Sequence, residues 1–187
     1  MKWNADTVAL AVANGIFHWR KFIVVPNVSW GLLPHEADLI AMTDAGYLSE
    51  VEIKVSKADF LADREKYKHR LAEAHGQHEL IKEFFYAMPT QVWDKCKPDD
   101  LPPGAGLILV SRDEYDRKPR AHIAQKPTTN GRARKVRDDE RLQLMRLAYM
   151  RYWCRQEAVE RLLSGVLRTA ETDSTIALSA TGTTSKE

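Results

Sequence analysis

Apolar residues in this chain fall into short runs with two different periods, and these runs predict the elements of the fold. A helix-period stretch over residues 5–16 follows Asn4, a residue type that caps helices. Three strand-like runs come next, and Pro26 interrupts the first of them. These runs are KFIVVPNVSW, ADLIAMT and YLSEVEIKV.

Helix and strand patterns continue through the second half of the chain. Ser56 opens S-K-A-D, a capping-box-like start, and the helix ADFLADREKYKHRLAEAH presents apolar contacts at Phe60, Leu61, Tyr67 and Leu71. Two strands are predicted in IKEFFYAMP and in the fully apolar LILVS, which is typical of a sheet centre. A long amphipathic helix, or a pair of helices, begins at DDERLQLMRL, where the acids complement the helix dipole.

The order of these elements is helix, three strands, helix, two strands and a long helix. This order predicts an α/β protein with a mixed sheet flanked by helices. The chain has 187 residues, of which 44% are hydrophobic, which is sufficient for one domain that we place at residues 1–169. Residues 170–187 have many Ser and Thr and little periodicity, and they predict a flexible C-terminal tail.

Cysteine spacing and apolar run length indicate the compartment. Cys96 and Cys154 lie far apart without C-x-x-C spacing, which favours reduced thiols in a cytoplasmic protein over a disulfide. The first apolar run is short, follows Asp6 and lacks a cleavage site, so it favours a buried helix over a signal peptide. No stretch reaches the length that a membrane span requires, and we expect no membrane partner.

Basic residues are concentrated in one segment. The formal net charge is +2, but residues 117–137 hold eight Lys or Arg and no acid. Such a patch is typical of proteins with a polyanionic partner, because phosphate neutralisation supplies most non-specific affinity for nucleic acid. A solvated loop explains the same charge equally well. The residues predicted to bind nucleic acid, most simply DNA, are Arg132, Arg134, Lys135 and Arg137.

The second and third predicted strands are joined by D-A-G at residues 44–46, which suits a three-residue hairpin loop with glycine in the left-handed position. With that loop, Asp38 lies directly opposite Glu52, and Glu36 lies opposite Lys54. Because side chains alternate along a strand, Glu52 and Lys54 share one face.

Two facing carboxylates are unfavourable for stability alone, since directly opposed Cβ atoms are about 4.5–5.5 Å apart and like charges there repel. A hard divalent cation between Asp38 and Glu52 removes this cost, because Mg²⁺ prefers oxygen ligands together with water and phosphate. Lys54 would then orient or deprotonate a water, or offset charge that develops on a phosphate. The pattern therefore predicts a Mg²⁺ site.

A bland explanation stands beside this one. An E-x-K pattern in a strand is typical of a half-exposed surface with ordinary charge pairs. A one-residue shift in the loop would also place Asp38 and Glu52 on opposite faces. Against the bland explanation, Asp38 shares its face with Ile40 and Met42 and should lie near buried surface, where an unpaired carboxylate is costly.

This arrangement resembles a known superfamily. Asp38, then a hairpin, then the E-I-K of residues 52–54 and a helix resemble the core of the PD-(D/E)XK nucleases. GYLSEVEIKVSKADFLAD, with K-H at residues 68–69, is similar to small phage-encoded and bacterial DNA-repair members. The resemblance covers residues 5–110 well and implies a restriction-endonuclease-like α-β-β-β-α-β core that acts on nucleic acid with Mg²⁺.

The resemblance also implies roles for individual residues. Asp38 and Glu52 would be metal ligands, the Ile53 backbone carbonyl a further ligand, and Lys54 the catalytic lysine. The implied cofactor is Mg²⁺, for which we expect Mn²⁺ to substitute.

This chain departs from the superfamily pattern at two places. Ala37 stands where the motif name has proline, and the only acid in residues 1–20 is Asp6, near the start of the first helix. Glu36 is a candidate for an extra ligand, so the number of metals stays open. Asp59, Asp63 and His69 also match the family, but on a charged helix their simplest roles are caps and ion pairs.

The sequence therefore predicts a Mg²⁺-dependent nuclease that hydrolyses phosphodiester bonds of DNA, in phage DNA processing or in DNA repair or recombination. The rival hypothesis is a non-catalytic nucleic-acid-binding or interaction protein that retains the nuclease fold, because a fold does not guarantee a chemistry. The intact D…E-x-K set favours the enzyme.

Overall fold

The computed structural model describes residues 2–29, 31–63 and 79–181, with side chains as far as residue 165. In chain order the elements are helix α1 (Ala5–Gly15), strands β1 (Ile23–Val28), β2 (Ala37–Met42) and β3 (Leu48–Ile53), helix α2 (described over residues 57–63), strand β4 (Ile81–Pro89), the short helix α3 (Thr90–Trp93), a 3-10 turn at Pro98–Asp100, strands β5 (Gly106–Arg112) and β6 (Pro119–Gln125), and helix α4 (Asp138–Thr181).

The six strands form one mixed sheet in the order β1-β2-β3-β4-β5-β6. The first three strands are antiparallel to one another, β4 is parallel to β3, β5 is parallel to β4, and β6 is antiparallel to β5. Parallel neighbours require a crossover connection, and α2 lies in the connection between β3 and β4. The predicted α/β class, with a mixed sheet, flanking helices and a long C-terminal helix, is confirmed.

The β2–β3 hairpin has the predicted register. Leu39 pairs with Val51, and the same register carried one residue further places Asp38 opposite Glu52. The loop turns at Gly46, whose φ of +84° lies in the left-handed region that glycine adopts without steric cost. The one-residue shift that would have separated the two carboxylates is therefore excluded.

Each face of the sheet carries its own apolar core. Helix α1 covers one face, where its buried residues pack with those of the central strands: Val8, Ala11, Val12, Leu39, Val51, Ile53, Phe85, Ile108 and Val110. Helix α2 and the first part of α4 contribute to the other face, which includes Ile40, Met42, Leu48, Phe60, Tyr86, Met88 and Leu144. Because Asp38 shares its strand face with Ile40 and Met42, the candidate charges belong to this second face.

Strand β6 is an element that the sequence analysis did not predict. PRAHIAQ lies inside the basic segment, where the sequence favours a loop, and the structure has an edge strand there. Five of the seven β6 residues are exposed. Polar Arg120 and His122 nevertheless alternate with apolar residues over 119–123, a short strand pattern that was outweighed by the basic charge of the segment.

Helix α4 is continuous as far as Thr181, so residues 170–181 are helical where the sequence favours irregular structure. The chain divides into two compact units, Met1–Ala148 and Tyr149–Glu187. The predicted domain of residues 1–169 and the flexibility of residues 170–187 stay predictions. Among the described residues, no helix combines the length and the apolar character needed to cross a bilayer.

Part of the predicted second helix lies outside the described residues. Of its four predicted apolar contacts, Phe60 is fully buried and Leu61 is partly buried against the same core. Tyr67 and Leu71 lie outside the described ranges, as does the K-H pair at residues 68–69. The predicted cap is present, because Ser56 Oγ accepts a hydrogen bond from the Asp59 amide at 3.2 Å.

Gly106 provides a test of the core at the point where β5 pairs with β4. A methyl group on Gly106 would lie 2.5 Å from Phe85 Cδ1 and 3.0 Å from Pro127 Cδ. We expect Gly106→Ala to lower the free energy of unfolding by about 1–3 kcal/mol through overpacking, measured by urea denaturation. Gly131→Ala is the matched control, because nothing lies within 4 Å of its added methyl group. Equal stability of the two variants would contradict the packing described for β4 and β5.

Candidate active site

Antiparallel pairing brings the predicted site residues to one end of the β2–β3 hairpin. Asp38 lies near the start of β2, Glu52 near the end of β3, and Lys54 directly after β3. The Lys54 amide donates to the Ala87 carbonyl of β4 at 2.9 Å, so Lys54 is held in the sheet by one further backbone bond. The structure therefore gathers the D…E-x-K set.

The Lys54 ammonium lies between two carboxylates. Its Nζ is 3.3 Å from Glu52 Oε2 and 3.4 Å from Asp63 Oδ1, and all three side chains are only 8% exposed. Tyr86 donates from its hydroxyl to Asp63 Oδ2 at 3.0 Å. One acid comes from β3 and the other from α2, so these contacts tie the helix to the sheet.

Tyr86 is a site residue that the sequence did not identify, and for Asp63 the sequence did not identify the partner. The prediction of an ion pair for Asp63 is correct, but its partner is the candidate catalytic lysine. Tyr86 pairs with Glu52 across the parallel β3–β4 ladder, and alternation along IKEFFYAMP places it on the same face as Phe84 and Met88. The β3–β4 register could have revealed Tyr86, but the sequence does not specify how parallel strands align.

The Asp38 carboxylate is anchored to the adjacent strand. The Ile53 amide donates to Asp38 Oδ2 at 2.7 Å. This bond holds the carboxylate beside Glu52 and beside Ile53, whose carbonyl is the third predicted ligand. Glu36, the candidate extra ligand, precedes β2 and is exposed, and its role stays a prediction.

A second charged contact lies two residues earlier on β3. The Glu50 carboxylate is buried, and its Oε1 is 2.8 Å from His35 Nε2. His35 lies in the irregular segment before β2, so neither helical nor strand spacing in the sequence relates it to Glu50. This contact adds another carboxylate to the face that carries Glu52 and Lys54.

Burial and like charge both act on Glu52. Burial, followed by the negative charge of Asp38, raises the pKa of Glu52 to about 7, against the lowering effect of Lys54. The charges of Asp63 and Glu50 raise it further. The four carboxylates around Lys54 outnumber this single lysine; they are those of Asp38, Glu50, Glu52 and Asp63. This cluster of five side chains therefore carries an excess of negative charge.

The Lys54 pKa moves in the direction that keeps the ammonium charged. Burial acts to lower it, but the charges of Glu52, Asp63, Asp59 and Asp38 together more than offset that effect, so the pKa lies above its ordinary value. At neutral pH, Lys54 is therefore a cation and a hydrogen-bond donor.

The predicted ligand residues fit Mg²⁺ only if several of the metal's ligands are water molecules. In the described ranges, no group of three or more His, Cys, Asp or Glu side chains converges enough to hold a metal ion. Mg²⁺ usually keeps several waters and uses one or two carboxylates together with substrate phosphate. Asp38, Glu52 and the Ile53 carbonyl meet that smaller requirement, and the excess negative charge favours a cation.

Two of the four residues predicted to bind nucleic acid form ion pairs with acidic side chains. Arg134 Nη2 is 2.7 Å from Glu140 Oε1 and 3.0 Å from Glu79 Oε1, and Arg137 Nη2 is 3.1 Å from Glu140 Oε1. Hydrogen bonding from Arg134 lowers the pKa of Glu140 to about 2. The remaining two residues, Arg132 and Lys135, are exposed.

The end of the basic segment near Val136 also lies away from the carboxylates. The Val136 amide donates to the Gly46 carbonyl at 2.9 Å, which places this part of the segment at the loop end of the β2–β3 hairpin. Asp38 and Glu52 lie at the other end, and a strand of this length spans roughly 20 Å at about 3.3 Å per residue. The predicted nucleic-acid-binding residues next to Val136 therefore form a separate surface from the candidate active site.

Comparison with known proteins supports the fold alone. No family model and no curated protein matches the chain. A solved structure described as the SPO1766 protein of unknown function from Silicibacter pomeroyi is similar, with a TM-score of 0.54 and 21% sequence identity. The match covers 84% of this chain and 92% of that one.

The raised pKa of Glu52 predicts a pH-dependent stability. The folded-state pKa of about 7 exceeds the unfolded value, so the folded chain binds more protons between the two pKa values. The contribution of Glu52 to the free energy of unfolding is fully present below its unfolded-state pKa and is lost as the pH rises through 7. In EDTA, as the pH is raised from about 5 to 8, we expect the free energy of unfolding of Glu52→Gln to rise relative to that of wild type by on the order of 2 kcal/mol.

Chemical denaturation across this pH range measures the effect. Glu83→Gln is the matched control, because Glu83 is bonded to Ser49 on the opposite face of the sheet. The control should follow the wild-type pH dependence. A Glu52→Gln curve parallel to wild type would show that Glu52 titrates near its ordinary pKa.

Proposed function

We propose that this chain is a Mg²⁺-dependent nuclease of the PD-(D/E)XK type that hydrolyses phosphodiester bonds of DNA. One observation carries the proposal: Asp38 and Glu52 meet at the end of a hairpin, beside a buried lysine, in a cluster with more carboxylates than cations. A protein that needed only stability would gain by replacing Asp38, whose charge lies directly opposite that of Glu52.

The element order supports the finer assignment of the fold. From α1 through β1, β2, β3 and α2 to β4, the chain follows the α-β-β-β-α-β order that the superfamily resemblance implies. The E-I-K segment ends β3 and leads into α2, as the resemblance also implies. Phage DNA processing and DNA repair or recombination are the settings that this resemblance suggests.

Each predicted metal ligand has a chemical role in this proposal. Asp38, Glu52 and the Ile53 carbonyl hold Mg²⁺, which supplies Lewis-acid polarisation of a phosphoryl oxygen. The Asp38 carboxylate is oriented for this by the Ile53 amide. The Glu52 carboxylate must lose its proton to act as a ligand, which its pKa of about 7 permits at neutral or higher pH.

Lys54 acts as a cation and not as a general base. Its pKa lies above the ordinary value, so its ammonium has no lone pair with which to remove a proton from water at neutral pH. A fixed ammonium instead donates a hydrogen bond and stabilises negative charge that develops on the phosphate in the transition state. Of the alternatives for Lys54 in the sequence, the charge environment favours this one.

Asp63 is a positioning residue for Lys54. It contacts the ammonium through Oδ1 and is itself held by Tyr86 through Oδ2. A lysine side chain has four rotatable bonds, and these contacts restrict them before substrate arrives. Asp63 therefore acts on the phosphate only through Lys54.

A cleavage assay tests the proposed function. Labelled single-stranded, duplex and flapped DNA are incubated with Mg²⁺, Mn²⁺ or EDTA, and we expect metal-dependent products. Asp38→Asn and Lys54→Met should each lower the rate by about 10²–10³-fold, because each removes a group that stabilises charge in the transition state. The asparagine side chain in Asp38→Asn can still accept from the Ile53 amide, so this variant should remain folded.

Metal binding separates the two roles. In Mn²⁺ titrations, Asp38→Asn should bind weakly, whereas Lys54→Met should bind as wild type does. Glu83→Gln, on the other face of the sheet, is the control for both measurements. Wild-type cleavage by Lys54→Met would exclude the proposed role of the lysine. If neither DNA nor RNA substrates are cleaved, the enzyme hypothesis is wrong, and the non-catalytic nucleic-acid-binding hypothesis replaces it.

The nucleic-acid partner belongs to the same proposal, with a revised set of contacts. Arg132 and Lys135 remain the candidates for phosphate contact, whereas Arg134 is committed to Glu79 and Glu140. Neutralising Arg132 and Lys135 together should reduce the salt dependence of DNA affinity by about one unit of slope for each phosphate that is no longer neutralised. Thermal stability should be unchanged.

Arg134→Ala is the contrasting variant. It should lower the melting temperature, because Glu140 is mostly buried and would lose its bidentate partner. Fluorescence anisotropy at several salt concentrations gives the slopes, and thermal melts give the stability. A salt slope equal to wild type in the Arg132 and Lys135 double variant would show that this segment is only solvated.

A further inference from the structure

Helix α4 presents two apolar faces. Leu144 is fully buried against the second sheet core, and Leu147 and Ala148 are partly buried there. Leu142 and Met145 are both exposed, and at about 100° per residue they lie roughly 100–160° around the helix from Leu144. A helix that only covers a sheet needs one apolar stripe, so the second stripe requires another explanation.

The second stripe of α4 has the period of a coiled coil in the amino-acid sequence. Its positions are spaced alternately by three and four residues from residue 142 to residue 170, and eight of the nine are apolar. They are Leu142, Met145, Tyr149, Tyr152, Gln156, Val159, Leu163, Val166 and Ala170. An apolar repeat of 3.5 residues held over four heptads is the pattern of a helix that pairs with another helix.

We propose that this stripe pairs with the same stripe of a second copy of the chain, in a parallel two-stranded coiled coil. With Leu142 and Tyr149 as the first positions of successive heptads, Arg155 and Glu160 take the two flanking positions. A parallel pair then places Arg155 of each copy beside Glu160 of the other, which brings opposite charges together on both sides of the seam.

The polar member of the stripe fits the same arrangement. Gln156 takes the first position of the third heptad and donates from Nε2 to the Tyr152 hydroxyl at 2.7 Å. A single polar residue at such a position is a known means of specifying the register and the number of strands.

The exposed area of the stripe is close to that of a dimer interface. The six apolar stripe residues with described side chains are each 42–63% exposed. Together with the adjacent Trp153, they would remove on the order of 700 Å² per chain from water, given the 150–250 Å² that a large aromatic side chain can bury. A stable interface buries about 800 Å² per partner, so the stripe approaches that size.

Two methionines provide a matched test. Met145 lies in the stripe and is 49% exposed, whereas Met150 lies outside it and is 58% exposed. By light scattering, the wild-type chain should have twice its 21.4 kDa mass in the micromolar range. Met145→Lys should raise the dimer dissociation constant by at least tenfold, and Met150→Lys should leave it unchanged.

Leu163→Lys repeats the test at a stripe position far along the helix from Leu144. It should also weaken the dimer, so the proposal does not depend on Met145→Lys remaining folded. In a Cys154→Ser background, Tyr152→Cys should form an intermolecular disulfide on oxidation, because equivalent seam positions face each other in a parallel pair. A monomeric wild type, a dimer that tolerates both lysine substitutions, or equal effects at Met145 and Met150 would overturn the proposal.

Discussion

A lysine ammonium buried between two carboxylates determines how the elements of the second sheet face meet. Burying an ammonium is costly unless carboxylates compensate it, and removal of one partner from a buried ion pair typically costs about 3–5 kcal/mol. Lys54 obtains one partner from its own strand and the other, Asp63, from α2. The helix must therefore return over the sheet to deliver Asp63.

The apolar packing around α2 agrees with this requirement. Phe60, one turn before Asp63, packs edge-on against Tyr86 with ring centroids 5.1 Å apart, and the Tyr86 hydroxyl bonds Asp63. Ring packing and charge compensation thus act on the same two elements. The cluster nevertheless has more carboxylates than its own cations compensate, an arrangement that stability alone does not favour and that binding of a cation would relieve.

The sequence allowed the hairpin and its charges to be predicted, because both depend on short-range rules. A three-residue loop ending in Gly46 sets the register, and the register places Asp38 opposite Glu52. The contact of Asp63 with Lys54 was beyond this reasoning, as were Tyr86 and His35. Their positions depend on where a helix returns, on the alignment of parallel strands and on an irregular segment, none of which a local pattern determines.

Charge composition gave an incomplete picture of the basic segment. The basic segment contains no acid of its own, but Glu79 and Glu140 outside it engage Arg134, and Asp116, which immediately precedes it, pairs with Lys118 and Arg120. Compensation across sequence distance is invisible in a count of residues within one window. Strand β6 was not predicted because its apolar and polar residues alternate only over the short stretch 119–123, inside a segment whose basic charge favoured a loop.

That same edge strand affects how copies of the protein behave at high concentration. An edge strand offers backbone groups to which another sheet can add, and such addition leads to aggregation. Strand β6 begins with Pro119, which has no amide hydrogen to donate, and Arg120 follows in an ion pair with Asp116. A second sheet edge would have to strip water from these charges to approach. This border of the sheet is therefore protected against edge-to-edge growth into fibrils.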